Sequence, residues 1–188
     1  MIVNIIAAIL VSLLIVITVC YIIDKKQRKT FLNKVMQQMQ LQALDINHKA
    51  PVTARQEIII DAPVDKVWNT LTSVNNWVLW QKSVSSVEIE SAPQKNIPFT
   101  WVGAGIKYNS VIHMHDEQKN FGWIGTTLGA QAIHNWFLTE QGVTTKVVVE
   151  ESLEGLLVGI FKSSFRKTLL KGMVESLKEL KVACEKAL

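Results

Sequence analysis

The sequence predicts an α+β domain, an antiparallel sheet backed by a long C-terminal helix, carried behind one N-terminal membrane-spanning helix. Three patterns predict it. The chain opens on an uncharged run, Ile2 to Ile23. Its middle, Val84 to Leu153, breaks into short β-rich runs separated by turn signals. Its end, Leu156 to Ala187, carries apolar residues at the spacing of one helix face.

As a helix the first run is about 33 Å long, enough to cross a hydrocarbon core of about 30 Å. A helix satisfies its own backbone polar groups, so such a run is stable in lipid. No charged side chain precedes it, and Thr18-Val19-Cys20 lacks the small residue expected before a lipidated cysteine. An uncleaved anchor over residues 1–23 is therefore expected, with lipidation at Cys20 as the alternative. Asp24, Lys25, Lys26, Arg28 and Lys29 supply +3 of the formal net charge of +4. The sequence pI of about 9.1 thus reports a juxtamembrane cluster and not a basic domain. Nucleic-acid binding, which needs a basic stripe on the folded domain, is not expected. Lys25, Lys26, Arg28 and Lys29 are expected to rest on anionic membrane lipids and to hold the domain on the cytoplasmic side, a single-pass topology. Cys20 and Cys184 are too differently placed for a disulfide, which fits a reducing compartment.

Residues 24–53 read as a basic juxtamembrane segment, an amphipathic helix and a linker. Phe31, Leu32, Val35, Met36 and Met39 recur at helical spacing. That stripe fits a helix continuing the anchor, a helix on the membrane surface, or packing on the domain. The domain is expected over 54–188, a comfortable length for one core, and a chain beginning near Lys49 is expected to fold by itself.

Arg55 to Ile60 is β-rich. Asp61 is a plausible cap and Pro63 suits a first helical turn, after which Val64, Val67, Trp68 and Leu71 mark one face of a short helix. A second short helix carries Trp77 and Trp80. The meander follows, punctuated by Pro93, Gly103 to Gly105, Lys119-Asn120 and Gln141-Gly142. In the C-terminal helix, Val158, Phe161, Phe165, Leu169, Met173, Leu177 and Leu180 form the apolar face.

The segment Ile60-Asp61-Ala62-Pro63-Val64-Asp65-Lys66-Val67-Trp68, then Leu71, Trp77 and Trp80, resembles the START-like helix-grip superfamily (SRPBCC). The resemblance is to its polyketide cyclase/dehydrase and lipid-transport branch, over about residues 54–186. The Gly142 to Val147 hairpin and Glu151 and Gly155 before the last helix extend it, whereas Asn96-Ile97-Pro98-Phe99 departs from the usual glycine-containing strand entry. The resemblance implies a curved sheet wrapped around the long helix, with a cavity between them suited to apolar ligands.

Strand alternation places Ile106, Tyr108, Ser110, Ile112 and Met114 on the inward face, and His113 and His115 together on the solvated one. The i, i+2 pairs Phe99 and Trp101, Phe121 and Trp123, and His134 and Trp136 add aromatics. The expected cavity lining is Trp80, Phe99, Trp101, Tyr108, Ser110, Ile112, Trp123, Trp136, Phe161 and Phe165; each taken singly is equally a core filler. Paired imidazoles suit zinc, but nothing completes a site around His113 and His115, so no metal is expected. No glycine-rich phosphate loop or nucleophile elbow is present, and no cofactor is expected. His134 is the candidate acid or base, and would need Asp116 or Glu151 to orient it. Glu150, Glu151 and Glu154 read as solvated charges.

The leading expectation is a non-catalytic module that binds a lipid or other hydrophobic small molecule beside the membrane. The alternatives are a cyclase/dehydrase-like enzyme using His134 or a cavity carboxylate, and an interaction module that meets a membrane-protein partner with the outer sheet face.

Overall fold

The computed structural model describes residues 2–186; Met1 of the expected anchor, Ala187 at the expected end of the last helix, and Leu188 lie outside it. The apolar run and the amphipathic stripe form one continuous helix, α1 (Ile2–Met39). Its first part is apolar enough to cross a membrane and none of its apolar window is buried against the protein.

The sheet is antiparallel, in the order β1-β7-β6-β5-β4-β3-β2, and curls around the last helix. Its strands are β1 (Val52–Ile60), β2 (Val84–Ile89), β3 (Pro98–Gly103), β4 (Ile106–Asp116), β5 (Asn120–Thr127), β6 (Ala130–Gln141) and β7 (Thr144–Glu154). Between β1 and β2 lie α2 (Val64–Thr72) and α3 (Trp77–Trp80). Val64, Val67, Trp68 and Leu71 are buried as their spacing requires. Pro63 is the N-cap itself, and Asp61 caps nothing: its carboxylate meets Lys181 Nζ at 3.3 Å.

The C-terminal helix is broken. A short α4 (Leu156–Ile160) precedes α5 (Lys162–Glu185), and Phe161 sits at the joint with φ −112° and ψ 40°. Met173, Leu177, Leu180 and Cys184 of α5 enter the main core with Ile60, Phe99, Ile112, Phe121, Trp123, Trp136, Val147 and Val149 from the inner sheet face. The first half of α5 is only partly covered: Phe165, Leu169 and Leu170 are half-buried and Gly172 faces open space.

A second core lies on the outer face of the sheet. Phe31, Val35 and Met39 of α1, with Leu44 and Ile46, pack on Ile124 and Ile133. The amphipathic stripe thus both continues the helix of the apolar run and packs on the domain, because two apolar residues on a nominally outward face need cover. Hydrogen bonds fasten the seam. Asp24 Oδ1 accepts from Gly129 N (2.9 Å), Asn135 Nδ2 donates to Leu44 O (2.9 Å), Leu44 N donates to His113 Nδ1 (3.2 Å), and Asn47 N donates to Ser152 Oγ (3.0 Å).

One expectation about β4 fails here. Ile112 pairs with Trp123, yet Met114 pairs with Gly122, so a β-bulge inserts one residue at His113. His113 and His115 therefore face opposite sides. His113 is fully buried under the Leu44 segment, and His115 packs edge-on against Trp68 on the inner side. Met114 leaves the inward set for the same reason. Gly122 makes room for the outward His113: a Cβ there would sit 2.7 Å from Asn135 Oδ1 and 2.9 Å from His113 Nε2.

Candidate functional site

The turn at Gly142 sets the register of β6 against β7 and brings His134 opposite Glu151 on the inner face. His134 Nδ1 hydrogen-bonds Glu151 Oε2, and the two side chains are 14% and 13% exposed. A carboxylate only accepts, so the bond holds the proton of the neutral ring on Nδ1 and leaves the lone pair on Nε2. That Nε2 is buried and has no hydrogen-bond partner among the described residues. Trp123, opposite His134 on β5, stacks on its ring with centroids 4.3 Å apart and planes 17° apart; Trp136 flanks it at 5.6 Å. Glu151 is thus a half-buried partner of His134 and not a solvated charge, whereas Glu150 lies outward and meets Arg55 Nε at 2.9 Å. Asp116 accepts from Asn120 Nδ2 at the far end of β4 and takes no part.

Across the inner face, Trp101 and Tyr108 stack at 4.4 Å, and Trp101 Nε1 donates to the buried Ser110 Oγ at 3.1 Å. Burial and, after it, the charge of Glu151 push the Tyr108 phenol above its ordinary pKa, so it stays a donor at neutral pH. Trp77 plugs the centre, edge-on to Phe99 and Trp101, with its own N–H given to Leu71 O at 2.8 Å. Phe99, Ile112, Trp123 and Trp136 are buried in this layer, while Trp101, Tyr108, His134 and Glu151 are half-buried.

Not every expected lining residue joins them. Phe165 is half-buried on α5, but Phe161 is 56% exposed at the helix break. Trp80 packs on the edge of the core and also lines a surface groove of about 560 Å³ with Lys66, Asn69 and Leu79. Its indole nitrogen and that of Trp136 are buried without partners among the described residues. Among the basic residues, Lys25, Lys26 and Lys29 are exposed, whereas Arg28 Nη2 meets Asp24 Oδ2 at 2.9 Å. Among the described residues no group of three or more metal-ligating side chains converges.

A model of the protein family described as polyketide cyclase / dehydrase and lipid transport matches residues 51–185. The chain belongs to that family. The match takes in the whole sheet, α2 to α5 and the His134–Glu151 pair, and leaves α1 outside. No curated protein matches the sequence significantly.

Solved structures of the same fold are many and distant. A hypothetical protein from Helicobacter pylori superposes with a TM-score of 0.67 at 14% identity, covering 77% of this chain and 98% of its own. The Zhui aromatase/cyclase from Streptomyces sp. R1128 gives 0.60 at 14%, covering 71% and 93%. A START superfamily protein from Mycobacterium smegmatis gives 0.52 at 10%, covering 68% and 98%. At such identities the likeness establishes the START-like helix-grip fold, in which this family member carries an additional long apolar N-terminal helix.

Proposed function

We propose that this family member holds a lipid or other hydrophobic small molecule, without chemically changing it, between the inner sheet face and the first half of α5. In this reading Ile2 to Ile23 span a membrane and the basic cluster keeps the domain on the cytoplasmic side. One observation carries the binding reading. The inner face gathers Trp123 and Trp136 around His134 and stacks Trp101 on Tyr108, and α5, whose Met173, Leu177 and Leu180 pack on this face, leaves Phe165, Leu169 and Leu170 only half-buried. Apolar walls with a few unpaired polar tips, here His134 Nε2 and Trp136 Nε1, are the usual composition of a small-molecule site. The test is organic extraction of the purified protein followed by mass spectrometry, with titration of a fatty acid or sterol-like probe read by tryptophan emission. A co-purifying apolar molecule or a saturable change supports the reading; neither, at any probe concentration, sinks it.

The second reading is an acid–base enzyme of the cyclase/dehydrase type. It is favoured by a single feature, the orientation of His134 by Glu151 with Nε2 left available. The interaction-module reading is weakened, because α1 already covers the outer face at Ile124 and Ile133.

A further inference from the structure

Among the described residues four exposed apolar side chains stand in the sheet turns or where α4 meets α5, and three of them gather at one end of the molecule. Leu128 is 62% exposed in the β5–β6 turn, and Ile160 and Phe161 are 60% and 56% exposed where α4 meets α5. The two sites are neighbours: Leu157 N donates to Gly129 O at 3.0 Å, and the Leu157 side chain fills the space where a Cβ on Gly129 would lie. The fourth, Val143, is 82% exposed in the β6–β7 turn at the opposite end of the same strands.

The seam between α1 and the sheet fixes where this end lies relative to the apolar run. Asp24, the first charged residue after Ile23, is buried and accepts the Gly129 amide hydrogen, and α1 also touches α4. The β5–β6 turn and α4 therefore stand level with the point where the apolar run leaves the protein. Exposed basic side chains follow directly on both helices: Lys25, Lys26 and Lys29 after Asp24 on α1, and Lys162, Arg166 and Lys167 after Phe161 on α5. Apolar side chains in line with a spanning segment and followed on each helix by exposed cations fit a bilayer surface with anionic headgroups. The docked helix gives the domain one pose against that surface, in place of a free swing on a linker.

We propose that Leu128, Ile160 and Phe161 form a membrane-inserted rim, so that the inner face beneath α5 exchanges its ligand directly with the bilayer. This rests on the reading that Ile2 to Ile23 span the membrane. The half-buried Phe165 and Leu169 follow the rim on α5 and pack on Val52, Ala130 and Val158. An apolar molecule crossing there stays in contact with apolar side chains throughout, and avoids the cost of full hydration.

The full chain is reconstituted in phosphatidylcholine–phosphatidylglycerol vesicles containing a lipid with a photoreactive diazirine high on its acyl chain. Adducts are mapped by mass spectrometry after illumination. Expected are adducts on the apolar run and on the peptides carrying Leu128 and Ile160–Phe161, with none on the Gly142–Val143 turn. Adducts on the run alone overturn the rim and leave the anchor reading standing. Adducts nowhere on the run overturn both, and equal labelling of the rim and of Val143 overturns the rim. In the variant I160E/F161E, rim adducts should be lost while those on the run persist; unchanged rim labelling would remove these two side chains from the contact. Adducts at Tyr108 or Trp101 report separately on the ligand reading.

Discussion

His113 Nδ1 accepts the amide hydrogen of Leu44, a bond that exists only while the ring is neutral. Its Nε2–H goes to Asn135 Oδ1 at 2.8 Å, so both ring nitrogens are committed to the seam that holds the α1 segment on the sheet. Burial pushes the His113 pKa down from 6.5 to about 4, with the charges of Lys95 and His134 acting the same way against the Asn135 bond. The unfolded chain therefore binds more protons than the folded one between these two values. The contribution is fully present above pH 6.5 and is lost as pH falls toward 4. At about 1.4 kcal/mol per pKa unit, the loss is about 3 kcal/mol at most. Urea unfolding of a chain beginning at Asp24 should show this fall, and His113→Gln should flatten it. The same pH slope in both proteins would show that His113 is not its source.

The seam also bears on where the folded unit begins. Removing everything before Lys49 strips Phe31, Val35, Met39, Leu44 and Ile46 from Ile124 and Ile133 and leaves His113 and Asn135 without their backbone partners. Burying such a side chain is worth about 1.5–3 kcal/mol, and the five together rival the about 5–15 kcal/mol that holds a domain folded. A chain starting at Lys49 should be aggregated or lack a cooperative transition, while one starting at Asp24 should unfold cooperatively. A cooperative, monomeric Lys49 chain of equal stability would restore a boundary near residue 54.

How much of this was legible follows from range. The Val64, Val67, Trp68 and Leu71 face, the Trp77–Trp80 turn and the inward pairs Phe99 and Trp101, Phe121 and Trp123, and His134 and Trp136 are local patterns, and they fold as written. The sequence alone leaves Asp116 and Glu151 both open as partners of His134 and reads Glu151 as solvated, although counting outward from the Gly142 turn pairs Glu151 with His134. The bulge at His113 was not legible: one inserted residue leaves the alternation intact on either side and simply exchanges the faces. The break at Phe161 was hidden likewise, because the apolar spacing runs through it without a proline. As for Phe31, Val35 and Met39, their spacing suits lipid or a sheet equally, and only the distant Ile124 and Ile133 decide.

Topology makes a further prediction. The cluster Lys25 to Lys29 follows the apolar run directly, and cations there are retained on the cytoplasmic side. A reporter active only in the cytoplasm, fused after Leu188, should give signal. Exchanging Lys25, Lys26 and Lys29 for Gln should reduce it, as should adding lysines ahead of Ile2. Signal from a reporter active only outside the cytoplasm, in the unaltered chain, would reverse the assignment.

The last prediction separates binder from enzyme at the His134–Glu151 pair. Ser110 is buried under Trp101, whose N–H it accepts, so Ser110→Phe displaces the Trp101–Tyr108 stack from the sheet. If the gap there takes ligand, probe binding should weaken sharply while the protein stays folded, because filling a gap strains less than overpacking a dense core. Outright unfolding, together with an emission that no apolar probe alters, would mean the interior is solid. His134→Gln then asks what the pair does. In a binder, affinity should change by about 1 kcal/mol or less, the scale of one neutral hydrogen bond. In an enzyme, the same substitution should spare binding yet slow turnover of a genuine substrate about a hundredfold or more, the usual share of a general acid or base. Glu151→Gln supplies the control: it removes the carboxylate that fixes the tautomer but leaves Nε2 in place. In an enzyme the loss should therefore be smaller than for His134→Gln and should shift the pH profile. In a binder both variants should behave alike, with pH profiles that overlay.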